Sequence, residues 1–74
     1  MTTTPPADAL ADDDLVNDRG ASELLGGIPV GTLGQWRYRG EGPPFYRLGR
    51  SVRYRVGDLR EFRDAHRVNP RGAA

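Results

Sequence analysis

Cysteine and lysine are absent from this 74-residue chain, histidine, methionine and tryptophan occur once each, and no apolar run reaches the length of a membrane span. Without cysteine there is no disulfide, and with one histidine there is no Cys/His zinc site, so a small core has no covalent or metal staple to support it. The lack of cysteine fits a reducing compartment, and with no signal-peptide pattern a soluble cytoplasmic protein without a membrane partner is expected. A nucleophile, base and orienting group cannot be assembled from these side chains, so a binding protein is expected rather than an enzyme, with no cofactor and no metal. His66 near a helix end suits a packing or capping role. The run Asp12-Asp13-Asp14 lacks a preformed cage for a divalent cation and suits a solubilising tail.

Because lysine is missing, every basic residue is an arginine, eleven in all. Arginine suits phosphate and guanine recognition. A GC-rich genome gives the same bias, together with many alanine, glycine and proline codons, so the positions of the arginines carry more weight than their type. Residues 1–18 hold Asp8, Asp12, Asp13, Asp14 and Asp18 and no basic residue, a net −5. From Arg19 onward the arginines face only Glu23, Glu41, Asp58, Glu61 and Asp64, a net +6. An acidic leader therefore precedes a basic remainder, which suits nucleic acid, an anionic surface or an acidic partner.

Residues 1–14 contain a proline pair and almost no large apolar side chain, so a disordered acidic leader is expected there. Asn17 is a good N-cap, and Ala21, Leu24 and Leu25 fall at helical spacing, which predicts a first helix over about 18–25. Gly26-Gly27 stops it with a sharp turn, Ile28 plugs the core beneath that turn, and Pro29 opens the next helix. That second helix is predicted over about 30–39, with Leu33 and Trp36 inward and Val30, Gly31, Gly34, Gln35 and Tyr38 outward. Thr32, Arg37 and Arg39 lie at its margins, and Gly40 caps it. The order helix, turn, helix is a DNA-binding signature, and Gln35 is the outward side chain suited to paired contacts with adenine. Gly31 and Gly34 serve either close approach to a DNA backbone or nothing beyond codon bias.

After the extended connector Gly42-Pro43-Pro44, a β-hairpin is expected with Gly49-Arg50-Ser51 as a three-residue loop. Leu48 then opposes Val52, Arg47 opposes Arg53, Tyr46 opposes Tyr54 and Phe45 opposes Arg55. In that register Tyr46, Leu48, Val52 and Tyr54 share one face, and Arg47 and Arg53 repel each other unless a polyanion lies across them. Arg50 at the tip is placed to enter a minor groove. A last helix over about 57–66 has Asp58 in its first turn and Leu59, Phe62 and His66 inward, and residues 67–74 form a flexible tail.

Eight pieces in this order carry a resemblance: L-V-N at 15–17, A-S-E-L-L at 21–25, G-I-P-V-G-T-L at 27–33, W-R at 36–37, G-E-G-P-P-F at 40–45, R-L-G-R at 47–50, V-R-Y-R at 52–55 and D-L-R-E-F at 58–62. The chain resembles the excisionase branch of the MerR-type winged helix-turn-helix proteins, in particular the small excisionases of actinobacterial phages. It departs from their pattern at Gly20, where alanine is usual, at Gly27, an added residue, and at Pro29, where a serine cap is usual. The resemblance implies a mostly α fold with a small β-hairpin, a winged helix-turn-helix spanning 15–66. It also implies a recombination directionality factor of a host bacterium's cytoplasm, which binds adjacent double-stranded DNA sites, bends them and directs a phage integrase toward excision. The candidate DNA contacts are Arg19, Val30, Thr32, Gln35, Arg37, Tyr38, Arg39, Arg47, Arg50, Ser51 and Arg53.

A small domain covers little DNA, so head-to-tail self-association on adjacent sites is expected to supply the missing affinity. Two other functions fit the same residues. A small transcriptional regulator uses the same domain, and a protein-binding adaptor predicts weak, sequence-blind DNA binding that vanishes at moderate salt.

Overall fold

A computed structural model describes residues 9–70. The chain runs β1 (Leu15–Val16), α1 (Asp18–Leu24), α2 (Val30–Arg39), β2 (Tyr46–Leu48), β3 (Ser51–Arg55) and α3 (Val56–Ala65). The described residues thus form three helices and one antiparallel sheet in the order β1-β3-β2.

The local chemistry of each element is visible in its ends. Asn17 accepts a hydrogen bond from the Gly20 amide at 3.0 Å and so satisfies one of the open donors at the start of α1. At the other end, Gly26 takes φ +83°, the Gly26 amide donates to Glu23 O at 3.2 Å, and the Gly27 amide donates to Ser22 O at 2.7 Å. This paired closure needs a left-handed residue, which glycine supplies without strain. Gly40 ends α2 with the same two bonds, to Arg37 O and Trp36 O.

The core is small. Ala21 from α1, Leu33 from α2, Tyr54 from β3 and Leu59 from α3 are buried together, and Val16, Leu24, Leu25, Ile28, Trp36, Phe45 and Val52 pack around them. Ile28 occupies the place expected of it beneath the turn. Trp36 stacks at 5.6 Å on Phe62, which in turn holds the ring of exposed His66 at 4.2 Å. His66 Nδ1 lies 2.8 Å from Phe62 O, so the ring closes the end of α3 instead of filling the core.

Three expectations are corrected. The hairpin loop is the two residues Gly49-Arg50, and the register is Leu48 with Ser51, Arg47 with Val52 and Tyr46 with Arg53. Gly49 has φ +64° and no residue other than glycine has positive φ among the described residues, the pattern of a two-residue turn with glycine first, whose twist matches that of paired strands. A one-residue slip exchanges the faces of a strand. Tyr46 and Leu48 therefore lie on the outer face with Arg53, 44% and 52% exposed, while Arg47 shares the helix side with Val52 and rests 5.6 Å over the Phe45 ring. The expected repulsion between Arg47 and Arg53 does not arise.

The sheet also has a third strand. Leu15 pairs with Arg55 and Val16 with Tyr54, so β3 is central and the fold holds more than a lone hairpin. The third correction concerns the leader, of which 1–8 lie outside the described residues. Residues 9–14 dock on α3. The Val56 amide donates to Asp14 O and the Gly57 amide to Asp12 O, both at 2.9 Å, which satisfies α3 donors that Arg55, its N-cap residue, leaves open. Of the expected tail, 67–70 are exposed and outside any helix or strand, and 71–74 lie outside the described residues.

Candidate functional site

The start of α1, the start of α2 and the tip of the β2–β3 hairpin meet around an open groove of about 540 Å³. Asn17, Asp18 and Arg19 line it from α1, Val30 and Arg37 from α2, and Arg50, Ser51, Val52 and Arg53 from the hairpin. Six of the residues singled out in the sequence, Arg19, Val30, Arg37, Arg50, Ser51 and Arg53, are thereby brought to one place although up to 34 positions separate them.

The arginines of the groove divide into two kinds. Arg19, Arg50 and Arg53 make no ion pair among the described residues, and Arg53 spends one donor on the Val52 carbonyl at 2.8 Å. Arg37 is fully engaged. Its Nη1 donates to Asp18 Oδ1 at 2.8 Å and to the Tyr54 hydroxyl at 2.6 Å, and its Nη2 to Asp18 Oδ2 at 3.4 Å. Its guanidinium also lies about 6 Å from the rings of both Phe45 and Tyr54. Burial works to lower the pKa of Arg37, but the hydrogen bonds to Tyr54 and Asp18 outweigh it and hold the pKa above its already high ordinary value. Arg37, a candidate contact at the margin of α2, lines the groove and is at the same time a charged strut that ties α1, α2 and β3 together.

The remaining candidates lie outside the groove. At 100° per residue, Gly31, Gln35 and Tyr38 form the side of α2 opposite Leu33 and Trp36, with Gly34 turned toward the groove and Thr32 and Arg39 on the far flank. Tyr38 is 93% exposed, Gln35 and Arg39 are also exposed, and Thr32 is half-buried. Arg47 is exposed on the helix side of the hairpin.

Asn17, Asp18 and Val52 line the groove without having been singled out. Asp18 carried a signal only as an acidic first-turn residue, since its partner Arg37 is 19 positions away. No group of three or more His, Cys, Asp or Glu is arranged to hold a metal among the described residues, and no helix among them is long and apolar enough to cross a membrane. No protein-family model matches the chain, and no curated protein matches its sequence.

Proposed function

We propose that this chain is a winged helix-turn-helix DNA-binding protein that acts as an excisionase. In this reading the exposed side of α2 enters a major groove, the β2–β3 hairpin is the wing, and Arg50 reaches the neighbouring minor groove or backbone. The observation that carries the reading is the convergence of Arg19, Arg50 and Arg53, none of them ion-paired among the described residues, beside the outward strip of α2. A folded domain that needed these arginines only for its own stability would pair them, as it pairs Arg37 with Asp18. The series of motifs shared with small phage excisionases supplies the biological role: adjacent sites, head-to-tail self-association, bending, and direction of an integrase. Nothing in the proposed role needs chemistry from the chain itself.

The test is a gel-shift titration on the attachment-site DNA of the encoding phage or prophage, beside scrambled DNA, across a salt series. Stepwise cooperative shifts confined to attachment DNA are expected. Phosphate contacts by Arg19, Arg50 and Arg53 alone contribute a log–log salt slope of about −2.7, at roughly 0.9 per phosphate. Binding confined to the chain's own promoter would make it a transcriptional regulator. Equal, salt-fragile binding to every DNA would make the basic surface a protein-docking one.

A further inference from the structure

The docked segment 9–14 is attached to the body in two chemically different ways. Its backbone is fixed: the carbonyls of Asp12 and Asp14 accept from the Gly57 and Val56 amides, the Leu10 carbonyl accepts from Arg60 Nη2 at 2.9 Å, and the chain continues directly into β1. The Asp14 carboxylate accepts from the Ala11 amide at 2.9 Å within the segment, whereas those of Asp12 and Asp13 are held through arginine side chains. Asp12 pairs with Arg60 Nη1 at 2.6 Å and Asp13 with Arg55 Nη2 at 3.2 Å, while the side chains of Asp12 and Asp13 remain 61% and 92% exposed. Ion pairs so exposed are weak and exchange readily with outside ions. Gly57 makes room for the arrangement, because a Cβ there would lie 2.6 Å from Arg55 Nη1 and 3.0 Å from Asp12 Cβ.

Arg55 continues the basic surface. Arg53 lines the groove, and Arg55, two residues along the same strand, shares its outer sheet face. Arg55 is thus the next arginine along that face of β3 beyond the groove. Arg55 stays oriented when Asp13 leaves, since Asp58 also holds it at 3.2 Å. The hydrogen bonds that Arg55 donates to Asp13, ahead of the charge of Asp58, hold the Arg55 pKa above its ordinary value.

We propose that Asp12 and Asp13 are an intramolecular competitor for polyanions: their carboxylates cover Arg60 and Arg55 in the free protein, and nucleic-acid phosphates displace them. The proposal rests on the DNA-binding reading. In its terms the acidic segment is a brake on indiscriminate binding, released where the groove and α2 already hold the DNA in place. Sequence-blind contacts must displace the carboxylates with no base contact to help them.

The experiment is a fluorescence-anisotropy titration of a mixed-sequence DNA duplex at several salt concentrations. It compares the wild-type chain, Asp12→Asn/Asp13→Asn, and the control Glu41→Gln/Glu61→Gln, which changes net charge equally at residues that make no ion pair among the described residues. Asparagine keeps the backbone carbonyls that cap α3, so the segment stays in place. The Asp12/Asp13 variant is expected to bind on the order of threefold to tenfold tighter, the worth of one or two exposed ion pairs. Its salt slope is expected to steepen by about one, at roughly 0.9 per phosphate gained. Adding Arg55→Gln to that variant is expected to remove most of the gain. Equal behaviour of the two double variants, or an unchanged slope, overturns the competitor while leaving DNA binding standing. Failure of every variant to bind DNA at any salt overturns the DNA reading itself. A check without substitution is the Arg55 Nε–Hε NMR signal of the wild type, which is expected to move on DNA addition; a signal unmoved at saturation overturns the proposal.

Discussion

Arg50 stands in a two-residue turn and makes no ion pair among the described residues, so its removal tests the proposed wing without testing the fold. Arg50→Ala is expected to leave the melting curve in place, to weaken DNA binding by about 1 kcal/mol or more, and to reduce bending; unchanged affinity would remove Arg50 from the interface. Gln35 is the residue to test for base reading. Gln35→Ala is expected to relax preference at one or two base pairs of a selected site, whereas a uniform loss across all sequences would mean a backbone contact. Gly20 belongs to the fold. A Cβ at Gly20 would fall 2.7 Å from Val16 Cβ, so Gly20→Ala must push β1 away from α1. It is expected to cost about 1–3 kcal/mol by thermal or denaturant unfolding, although alanine is the usual residue in the resembling family.

The helices were legible because their signals are local. Asn17, Gly26-Gly27, Pro29 and Gly40 mark the ends of α1 and α2 within a residue, and Leu33 and Leu59 are the buried anchors that their spacing indicated. The hairpin and β1 were less legible, because strand register depends on partners far along the chain. Leu48 and Val52 look like a facing apolar pair, but the two-residue turn at Gly49-Arg50 fixes the register and turns Leu48 outward. Likewise no local signal in residues 9–14 reveals that their carbonyls cap a helix more than 40 positions later. Of the groove, Arg50 and Arg53 were readable as hairpin arginines, whereas the face taken by Arg47 followed from the register and the Asp18–Arg37 pair is long-range, so neither was. At the scale of the element, α2 offers a clean test of its two interior glycines. Gly31 has open space where a Cβ would go, and Gly34 meets only Arg37 Nη2 at 3.8 Å, so each change to alanine is expected to stabilise the domain by about 1 kcal/mol. If the glycines serve close approach to DNA, the same variants bind DNA more weakly while melting higher; tighter or equal binding would assign them to codon bias.

For the whole molecule, the proposed function requires a constant placement of α2 relative to the hairpin, since in that reading one DNA duplex meets both. Few buried side chains enforce it. Leu33 and Tyr54 are the main apolar link, and the Asp18–Arg37–Tyr54 network is the polar one. That network is mostly shielded from water, the Arg37 and Asp18 side chains being 18% and 28% exposed, so breaking it leaves polar groups with poor alternatives. Arg37→Ala is expected to cost about 2 kcal/mol, which in a domain of this size lowers the melting temperature by on the order of 10 °C. Tyr54→Phe removes only the 2.6 Å hydroxyl bond and is expected to cost about 1 kcal/mol. Because both act through the Arg37 guanidinium, their double variant is expected to cost less than the two single losses added together. DNA binding separates a strut from a contact. Below its melting range, Arg37→Ala is expected under the proposed function to lose sequence preference with little change in salt slope, since α2 and the hairpin shift relative to each other while Arg19, Arg50 and Arg53 remain. A slope shallower by about one would instead show that Arg37 gives up its partners to a phosphate.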